Sequence, residues 1–583
     1  MEVDIEQIDL NNEELQQALQ IIKYTRRSLF LTGKAGTGKS TFLRYICQHT
    51  KKKHVVLAPT GIAAINAGGS TLHSFFKLPF HPLLPNDSRY NMRNIRETLK
   101  YNGEKRKILR ELELIIIDEI SMVRADIIDF IDKVLRVYCR NMREPFGGKQ
   151  LLLVGDIYQL EPVVMEEDRQ LLRPFYPSSF FFDARVFREM QLVSIELRKV
   201  YRQNDPMFIS ILDHIRTSQV TPIDLKILNA RVNAPMVHSS NGPSSHALEI
   251  ILSTRRDTVD YINEKELESL PGEPTIFEGT IRDEFPESSL PTPKELYLKP
   301  GAHVIFIKND MDHRWVNGTL GIVEAIDEVE GVIWIITEEG QEYEVERDRW
   351  ANVRYTFNEK EQKIEEEEIG VYIQFPIRLA WAITVHKSQG LTFNNVKIDF
   401  TGGVFAGGQT YVALSRCRSL EGISLNCPIR REDVFVKPEV ISFARHYNDN
   451  NLILAALTES KADKEYHDAV TAFNKGDMDT FLENFFLAIH SRYDIEKPQV
   501  KRLIRRKLNI INQQREEITR LIEEKRKQED FLKRLAVEYT LLGKECEKED
   551  MREAAINNYR KALELYPEAP EAKRRLQQLE KKK

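Results

Sequence analysis

Between Glu13 and about Cys427, short apolar runs alternate with turn residues and with longer stretches whose apolar positions recur at helical spacing. This is the pattern of α/β units built on parallel sheets. The runs at 28–32, 54–58, 114–118 and 150–154 read as buried strands, and each stops just before a polar or glycine-containing loop. Open α/β sheets place their ligands beyond the carboxyl ends of such strands. The texture changes at 298–353, where 302–307, 320–326, 331–337 and 342–346 alternate with period two and Val316-Asn317-Gly318 supplies a turn. A small antiparallel barrel inserted in a second α/β core is predicted there. Beyond about Arg431 strand signals fade, and a Lys/Glu/Arg/Gln-rich stretch runs through 500–534, which predicts a separate helical appendage.

The 583 residues, 42% of them hydrophobic, suffice for about three to four domains. With 84 Lys+Arg against 89 Asp+Glu the formal charge is -5, which excludes a uniformly basic nucleic-acid coat. Any polyanion must bind in a local groove. Cys47, Cys139, Cys417, Cys427 and Cys546 have no C-x-x-C spacing, so neither a zinc ribbon nor a disulfide framework is expected, and a reducing cytosol is. No run reaches the roughly eighteen apolar residues needed to span a bilayer, and the acidic start Met1-Glu2-Val3-Asp4 is unlike a signal sequence. The expectation is a soluble, cytoplasmic protein without a membrane partner.

The strongest chemical signal is Gly33-Lys34-Ala35-Gly36-Thr37-Gly38-Lys39-Ser40, placed between the strand at 29–31 and the helix-compatible Thr41-Phe42-Leu43-Arg44. Glycines there let consecutive backbone N–H groups curl around a phosphate at a helix N-terminus. Lys39 would neutralise the β/γ-phosphates of a nucleotide and Ser40 would ligate Mg²⁺. Leu114-Ile115-Ile116-Ile117-Asp118-Glu119 then supplies an apolar strand ending in acid, with Asp118 for the Mg²⁺ shell and Glu119 to polarise the attacking water. Alone, such a run equally fits a strand entering a solvated turn; the P-loop upstream gives it meaning. In Leu151-Leu152-Leu153-Val154-Gly155-Asp156-Ile157-Tyr158-Gln159-Leu160-Glu161-Pro162-Val163 another strand reaches a turn, where Gln159 could sense the γ-phosphate, or the segment could be an ordinary capped turn.

These motifs, together with 58–75, Asp118-Glu119-Ile120-Ser121-Met122, Val200-Tyr201-Arg202-Gln203, Leu379-Ala380-Trp381-Ala382-Ile383-Thr384-Val385-His386-Lys387-Ser388-Gln389-Gly390-Leu391-Thr392 and Gln409-Thr410-Tyr411-Val412-Ala413-Leu414-Ser415-Arg416-Cys417-Arg418-Ser419, resemble in order and spacing the Pif family of superfamily-one DNA helicases, relatives of RecD. The resemblance covers about residues 10–427. It implies two RecA-like cores with ATP and Mg²⁺ between them, single-stranded and tailed duplex DNA as partners, and 5′-to-3′ movement. It places Gly33, Ala35, Gly36, Thr37, Gly38, Lys39, Ser40, Thr41 and Gly390 at the nucleotide, with Lys39, Glu119, Gln159, Arg202 and Arg416 as its catalytic set. Arg202 and Arg416 fall in the arginine-finger motifs, although an isolated Arg is more often a surface ion pair. Thr60, Gly61, His73, Ser74 and Phe75 in the first core, with Thr384, His386 and Lys387 in the second, match the DNA-side segments. Gln16, after the pair Leu10-Asn11, best fits the adenine-side element, with Gln17 as the alternative.

The organisation predicted is a first core over 1–200, a second over 201–430 and a helical extension over 431–583. The resemblance puts a duplex-splitting wedge at 76–111, where Lys77, His81, Arg89, Arg93, Arg96, Lys100, Lys105, Arg106, Lys107 and Arg110 make a basic insertion that a solvated loop and helix would also explain. It likewise puts the small barrel at 296–355, where Asn317-Gly318 also suits a purely structural hairpin. In the extension, 532–580 approximates one tetratricopeptide repeat, with a weaker echo at 466–477. A generic amphipathic tail is the alternative; either version suits a protein partner or self-association. The function expected is an ATP-dependent 5′-to-3′ DNA helicase; a non-unwinding translocase or remodeler and an NTPase-switched scaffold are the rival readings.

Overall fold

Six strands form the first sheet in the order Ser70–Thr71, His54–Ala58, Leu114–Ile117, Gln150–Val154, Leu29–Gly33, Val193–Leu197, all parallel. The structure is a computed structural model that describes residues 9, 12–79, 81–203, 205–235, 248–310, 312, 314–338, 340–358, 363–493 and 496–581. Leu29–Gly33 is buried along its whole length, because helices cover both faces of a parallel sheet. On one face Phe30, Ile115, Leu151 and Leu153 pack with Ile128, Ile131 and Leu135 of the helix Ala125–Cys139. On the other, Leu29, Leu31, Ile116 and Val154 meet the helices Glu13–Tyr24 and Lys39–His49. The second core is a smaller parallel sheet, ordered Ala382–Thr384, Ile250–Ser253, Val396–Asp399, Ile423–Leu425.

The chain folds as two compact units, Met1–Phe481 and Leu482–Lys583. A boundary at Arg431 is therefore too early. Phe443, from the helix Pro438–Ala444, stacks on Phe182 with ring centroids 4.3 Å apart, and Ile453 and Ala456 of the helix Asn450–Lys475 close the opposite face of the first sheet. Their helical character was expected, but polar composition hid their packing on the first core, since few residues of either are buried. The weak repeat echo at 466–477 thus belongs to the first unit. It spans the end of Asn450–Lys475, which closes on Gly476 in the left-handed conformation.

The insertion in the second core also differs from the barrel expected at 296–355. It contains a five-stranded antiparallel sheet whose last strand, Ile377–Leu379, pairs with His303–Phe306. A long hairpin, Asp348–Asn358 with Lys363–Gln374, pairs with Thr280–Asp283. A cut at 355 would split that hairpin, whose Glu365-Glu366-Glu367-Glu368 run reads as a loop when only its polarity is considered. The hairpin reaches the first core: the Tyr355 hydroxyl accepts the Val56 N–H and donates to the Val56 carbonyl, both at 3.1 Å.

Residues 76–111 are no solvated loop. Leu78, Leu83, Tyr90, Ile95, Leu99, Tyr101, Ile108 and Leu109 are buried in the first core's cluster, and Arg96 and Arg110 donate to the Val137 and Tyr138 carbonyls. In the second unit the end of the helix Pro498–Lys548 packs with Arg552–Leu565 and Pro570–Lys581 around Ala536, Ala555, Tyr559, Ala562 and Ala572. Gly543 is required here, since a Cβ would stand 2.5 Å from the Tyr559 ring.

Phe443→Ala is expected to destabilise the first core by about 2–4 kcal/mol, whereas Val329→Ala, 94% exposed in a turn, should stay within about 0.5 kcal/mol. Urea midpoints of the two variants measure the difference.

Candidate active site

The P-loop forms where Leu29–Gly33 ends and Lys39–His49 begins. Gly36 and Gly38 adopt φ of 80° and 83°, and a Cβ on Gly36 would lie 2.4 Å from Arg202 Cβ. Only glycine satisfies that combination of left-handed backbone and close approach. Thr37 Oγ1 donates to the Lys34 carbonyl at 3.0 Å and closes the turn. Lys39 Nζ folds back to donate to the carbonyls of Gly33 at 2.7 Å and Lys34 at 2.9 Å. Burial pushes its pKa down, opposed by Asp156 and Glu119. Its donors are thus poised for a stronger, anionic acceptor.

Opposite it, Asp118 and Glu119 leave the end of Leu114–Ile117. Asp118 Oδ1 accepts the Glu119 N–H at 2.9 Å, and Glu119 itself has a φ of 49°, an unfavourable backbone for a side chain of this kind. Desolvation pushes both carboxyl pKa values up, and for Glu119 the neighbouring Asp118 adds to the effect. Two half-buried carboxyls beside a phosphate-binding loop are a set that a divalent cation would stabilise, and Ser40 opens onto the same space; these residues fit Mg²⁺.

Arginines complete the site. The Tyr201 N–H donates to the Gly36 carbonyl at 2.8 Å, which ties the connection between the cores to the P-loop and buries Arg202 Nη1 without a hydrogen-bond partner. Arg416, buried at the end of the second core's helix Gln409–Leu414, donates Nε to the Val412 carbonyl at 3.0 Å and Nη2 to Ser415 Oγ at 2.9 Å. Burial and the nearby Arg202 both work against its charge. Ala35, Gly36, Thr37, Gly38, Lys39, Ser40, Thr41, Asp118, Glu119, Gln159, Arg202, Gly390 and Arg416 all line one cavity of about 1040 Å³ between the cores.

Other expected residues fall elsewhere. Gly33 is buried outside the cavity lining, its carbonyl accepting from Lys39 Nζ, and Gln16 is exposed on the helix Glu13–Tyr24, also outside the lining. Gln17 pairs with Glu13 at 3.0 Å. The Leu10-Asn11 pair lies outside the described residues, and Asp9, Leu15 and Tyr201 occupy the wall where an adenine-side residue was expected. Of the DNA-side set, Thr60, His386 and Lys387 reach the cavity. Thr60 Oγ1 caps the helix Gly61–Ala67, and Gly61 is covered by Ser289, to which a Cβ would approach within 3.0 Å. Ser74 is exposed, its N–H donating to Thr71 Oγ1, while Thr384 is buried with its hydroxyl accepting the Lys387 N–H. His73 is half-buried; burial first and then Arg124 lower its pKa. Phe75 does not face an open track. It is 3% exposed, between Phe76, the Tyr355 ring and Lys105 Nζ, which stands 3.1 Å from its centroid. Its apolar neighbours claim a ring that the motif alone would assign to a base.

Several residues escaped the sequence reading. The Tyr411 hydroxyl oxygen accepts the Ala35 N–H at 3.0 Å and so bridges the second core to the P-loop; Lys34 and Asp213 pair across the same gap. Lys308, Asn309 and Asn317, from the inserted sheet, line the far end of the cavity. Lys34, Tyr411 and Asn317 lie within segments that the sequence singles out, but their spacing assigns them no such contact, because each is brought in by the packing of one core on the other.

The family profile described as PIF1-like helicase matches residues 9–223. An ATP-dependent DNA helicase PIF1 of Xenopus laevis is 31% identical over 449 residues, which cover 75% of the chain and 65% of that protein; the chain thus spans less than two thirds of this relative's length. An ATP-dependent DNA helicase Pif1 of Bdellovibrio bacteriovorus is 30% identical, over 76% of the chain and 93% of its own length. Among solved structures, Pif1 of Bacteroides sp in complex with ADP-AlF4 is 41% identical, covers 76% of the chain and 98% of its own, and superposes with a TM-score of 0.68. The Bacteroides Pif1 bound to ssDNA gives 42% identity, coverage of 75% and 97%, and a TM-score of 0.55.

Lys39→Ala is expected to weaken binding of a fluorescent ATP analogue by about tenfold or more, the loss of one charge-assisted contact. Gln16→Ala should leave it within about twofold. Fluorescence titration reads both, and a large Gln16 effect would restore that residue to the site.

Proposed function

The chain belongs to the PIF1-like helicase family, and on that premise we propose that it is an ATP-dependent DNA helicase that moves 5′-to-3′ on single strands and unwinds duplexes. The observation that carries the reading is the shared cavity, in which Arg416 of the second core faces Lys39 and Glu119 of the first. A nucleotide held there is contacted from both sides, so its hydrolysis is coupled to the distance between the cores.

The residues divide the work. P-loop amides and Lys39 bind the phosphates, the ammonium leaving the carbonyls of Gly33 and Lys34 for stronger anionic acceptors. Ser40 and Asp118 would hold Mg²⁺, which neutralises phosphate charge when bound. Glu119 orients the attacking water and accepts its proton, and Gln159 reports on the terminal phosphate. Arg202 and Arg416 supply positive charge where negative charge develops, and the burial of Arg416 makes its contact strong. Thr60, His386 and Lys387, which also line the cavity, are assigned to the strand in this reading, together with Gly61, His73, Ser74 and Thr384.

Single-stranded and tailed duplex DNA are the partners this reading assigns, with the packed basic segment 76–111 as the wedge and the inserted sheet closing over the strand. The helical second unit, in which Gly543 and Tyr559 interlock as in a tetratricopeptide hairpin, suits protein binding or self-association. The five cysteines are all free, which fits a reducing, cytoplasmic setting, and among the described residues no helix is long and apolar enough to cross a membrane.

Duplexes carrying only a 5′ or only a 3′ tail, incubated with the protein and ATP, test the reading: strand separation is expected with the 5′ tail alone. Separation with neither tail, despite DNA-stimulated ATPase activity, would replace it with non-unwinding translocation. Arg416→Ala should lower DNA-stimulated kcat by about 10³-fold with little change in KM for ATP. Single-strand binding should weaken linearly on a plot of log affinity against log salt, despite the acidic net charge of -5.

A further inference from the structure

Residues 155–161 belong to the first core, yet later segments of the chain grip them at three places, two of them from the second core. Arg216, the last residue of the helix Pro206–Arg216, forks onto Asp156, with Nη2 3.0 Å from Oδ1 and Nε 3.3 Å from Oδ2. Its Nη1 donates to Glu196 Oε1 at 2.9 Å, and the guanidinium lies 4.4 Å from the Tyr158 ring centroid. Gly408, ahead of the helix Gln409–Leu414, is so close that a Cβ would stand 2.3 Å from the Gln159 carbonyl oxygen and 2.5 Å from that of Tyr158. Lys437 pairs with Glu161. Within the loop, Asp156 holds Gln159: its backbone carbonyl accepts the Gln159 N–H at 2.9 Å, and its Oδ2 lies 3.4 Å from Gln159 Nε2.

The side chains of Arg216 and Asp156 are 4% and 0% exposed. Burying an ion pair gains little stability over an apolar pair of the same shape, so its geometry is the more informative property. One carboxylate is shared between a guanidinium from the second core and the amide of the residue that faces Lys39 and Glu119 across the cavity. A rotation of the second core therefore moves the group that orients Gln159.

The geometry points to Arg216 as a positioning residue: acting through Asp156, it sets the Gln159 side chain so that hydrolysis proceeds only when the two cores are correctly placed. This rests on the helicase reading above. Arg216 lies outside the cavity lining; its fork carries the position of the second core into the site. Lysine keeps the charge and loses the fork, so it separates geometry from electrostatics.

Steady-state ATPase assays on the full chain with saturating single-stranded DNA test this, using Arg216→Lys, Gln159→Ala and the double variant. Arg216→Lys is expected to lower DNA-stimulated kcat by about tenfold with KM for ATP within about twofold, and the double variant to be no slower than Gln159→Ala. A kcat loss in the double variant equal to the product of the single losses, or an Arg216→Lys effect confined to KM, would overturn the assignment. Asp156→Asn, which keeps the shape and gives up the charge, is expected to show the same kcat loss and the same non-additivity, and it decides the matter should Arg216→Lys fail to fold. A wild-type chain without DNA-stimulated hydrolysis would remove the helicase reading and this one together; stimulated wild type with unaltered kcat in both variants would remove this one alone.

Discussion

The structure depends on positive charge gathered between two sheets, where burial opposes the charges of Lys39 and Arg416 and the carboxyl groups of Glu119 and Asp156 favour them. Lys39 spends its donors on backbone carbonyls, Arg416 on a carbonyl and a hydroxyl, and Arg202 keeps Nη1 buried and unpartnered. Each of these groups has lost water, and burial works against each charge. Such an arrangement is costly in isolation and becomes favourable when a polyphosphate enters. The scaffold must be rigid enough to bear that cost, which is why the strands carrying the loops are buried along their length.

That constraint explains how the cores meet. Direct links cross the cleft at Tyr411 to Ala35, Lys34 to Asp213 and Arg216 to Asp156, and the apolar cluster of the second core takes in Ala35 and Leu160 from the first. Farther out, the hairpin of the insertion is fastened by Tyr355 to both polar backbone groups of Val56. Such contacts are polar at the P-loop and the loop after Gln150–Val154, and apolar where the second core's cluster takes in Ala35 and Leu160. The helices Pro438–Ala444 and Asn450–Lys475 belong to the same economy of burial: they cover the two faces of the first sheet that its own preceding segments leave open.

The sequence by itself determined the parts whose chemistry is local. A P-loop needs glycines in left-handed conformation followed by a helix, an acidic strand end needs an apolar run, and both are written in consecutive residues; Gly36 and Gly38 have positive φ, and Lys39, Asp118 and Glu119 line one cavity. The parallel α/β cores were legible for the same reason, since buried strands read as apolar runs. Only the tertiary structure decided which residues of a motif face the cavity. Phe75 is claimed by Phe76 and Tyr355, Gln16 looks outward from its helix, and Arg216, a charge within the buried stripe of Phe208, Ile211, Leu212 and Ile215, meets Asp156 across sixty residues of chain. Side-chain direction depends on what packs opposite, and the opposite surface is contributed by a different core, so no local pattern could have contained it.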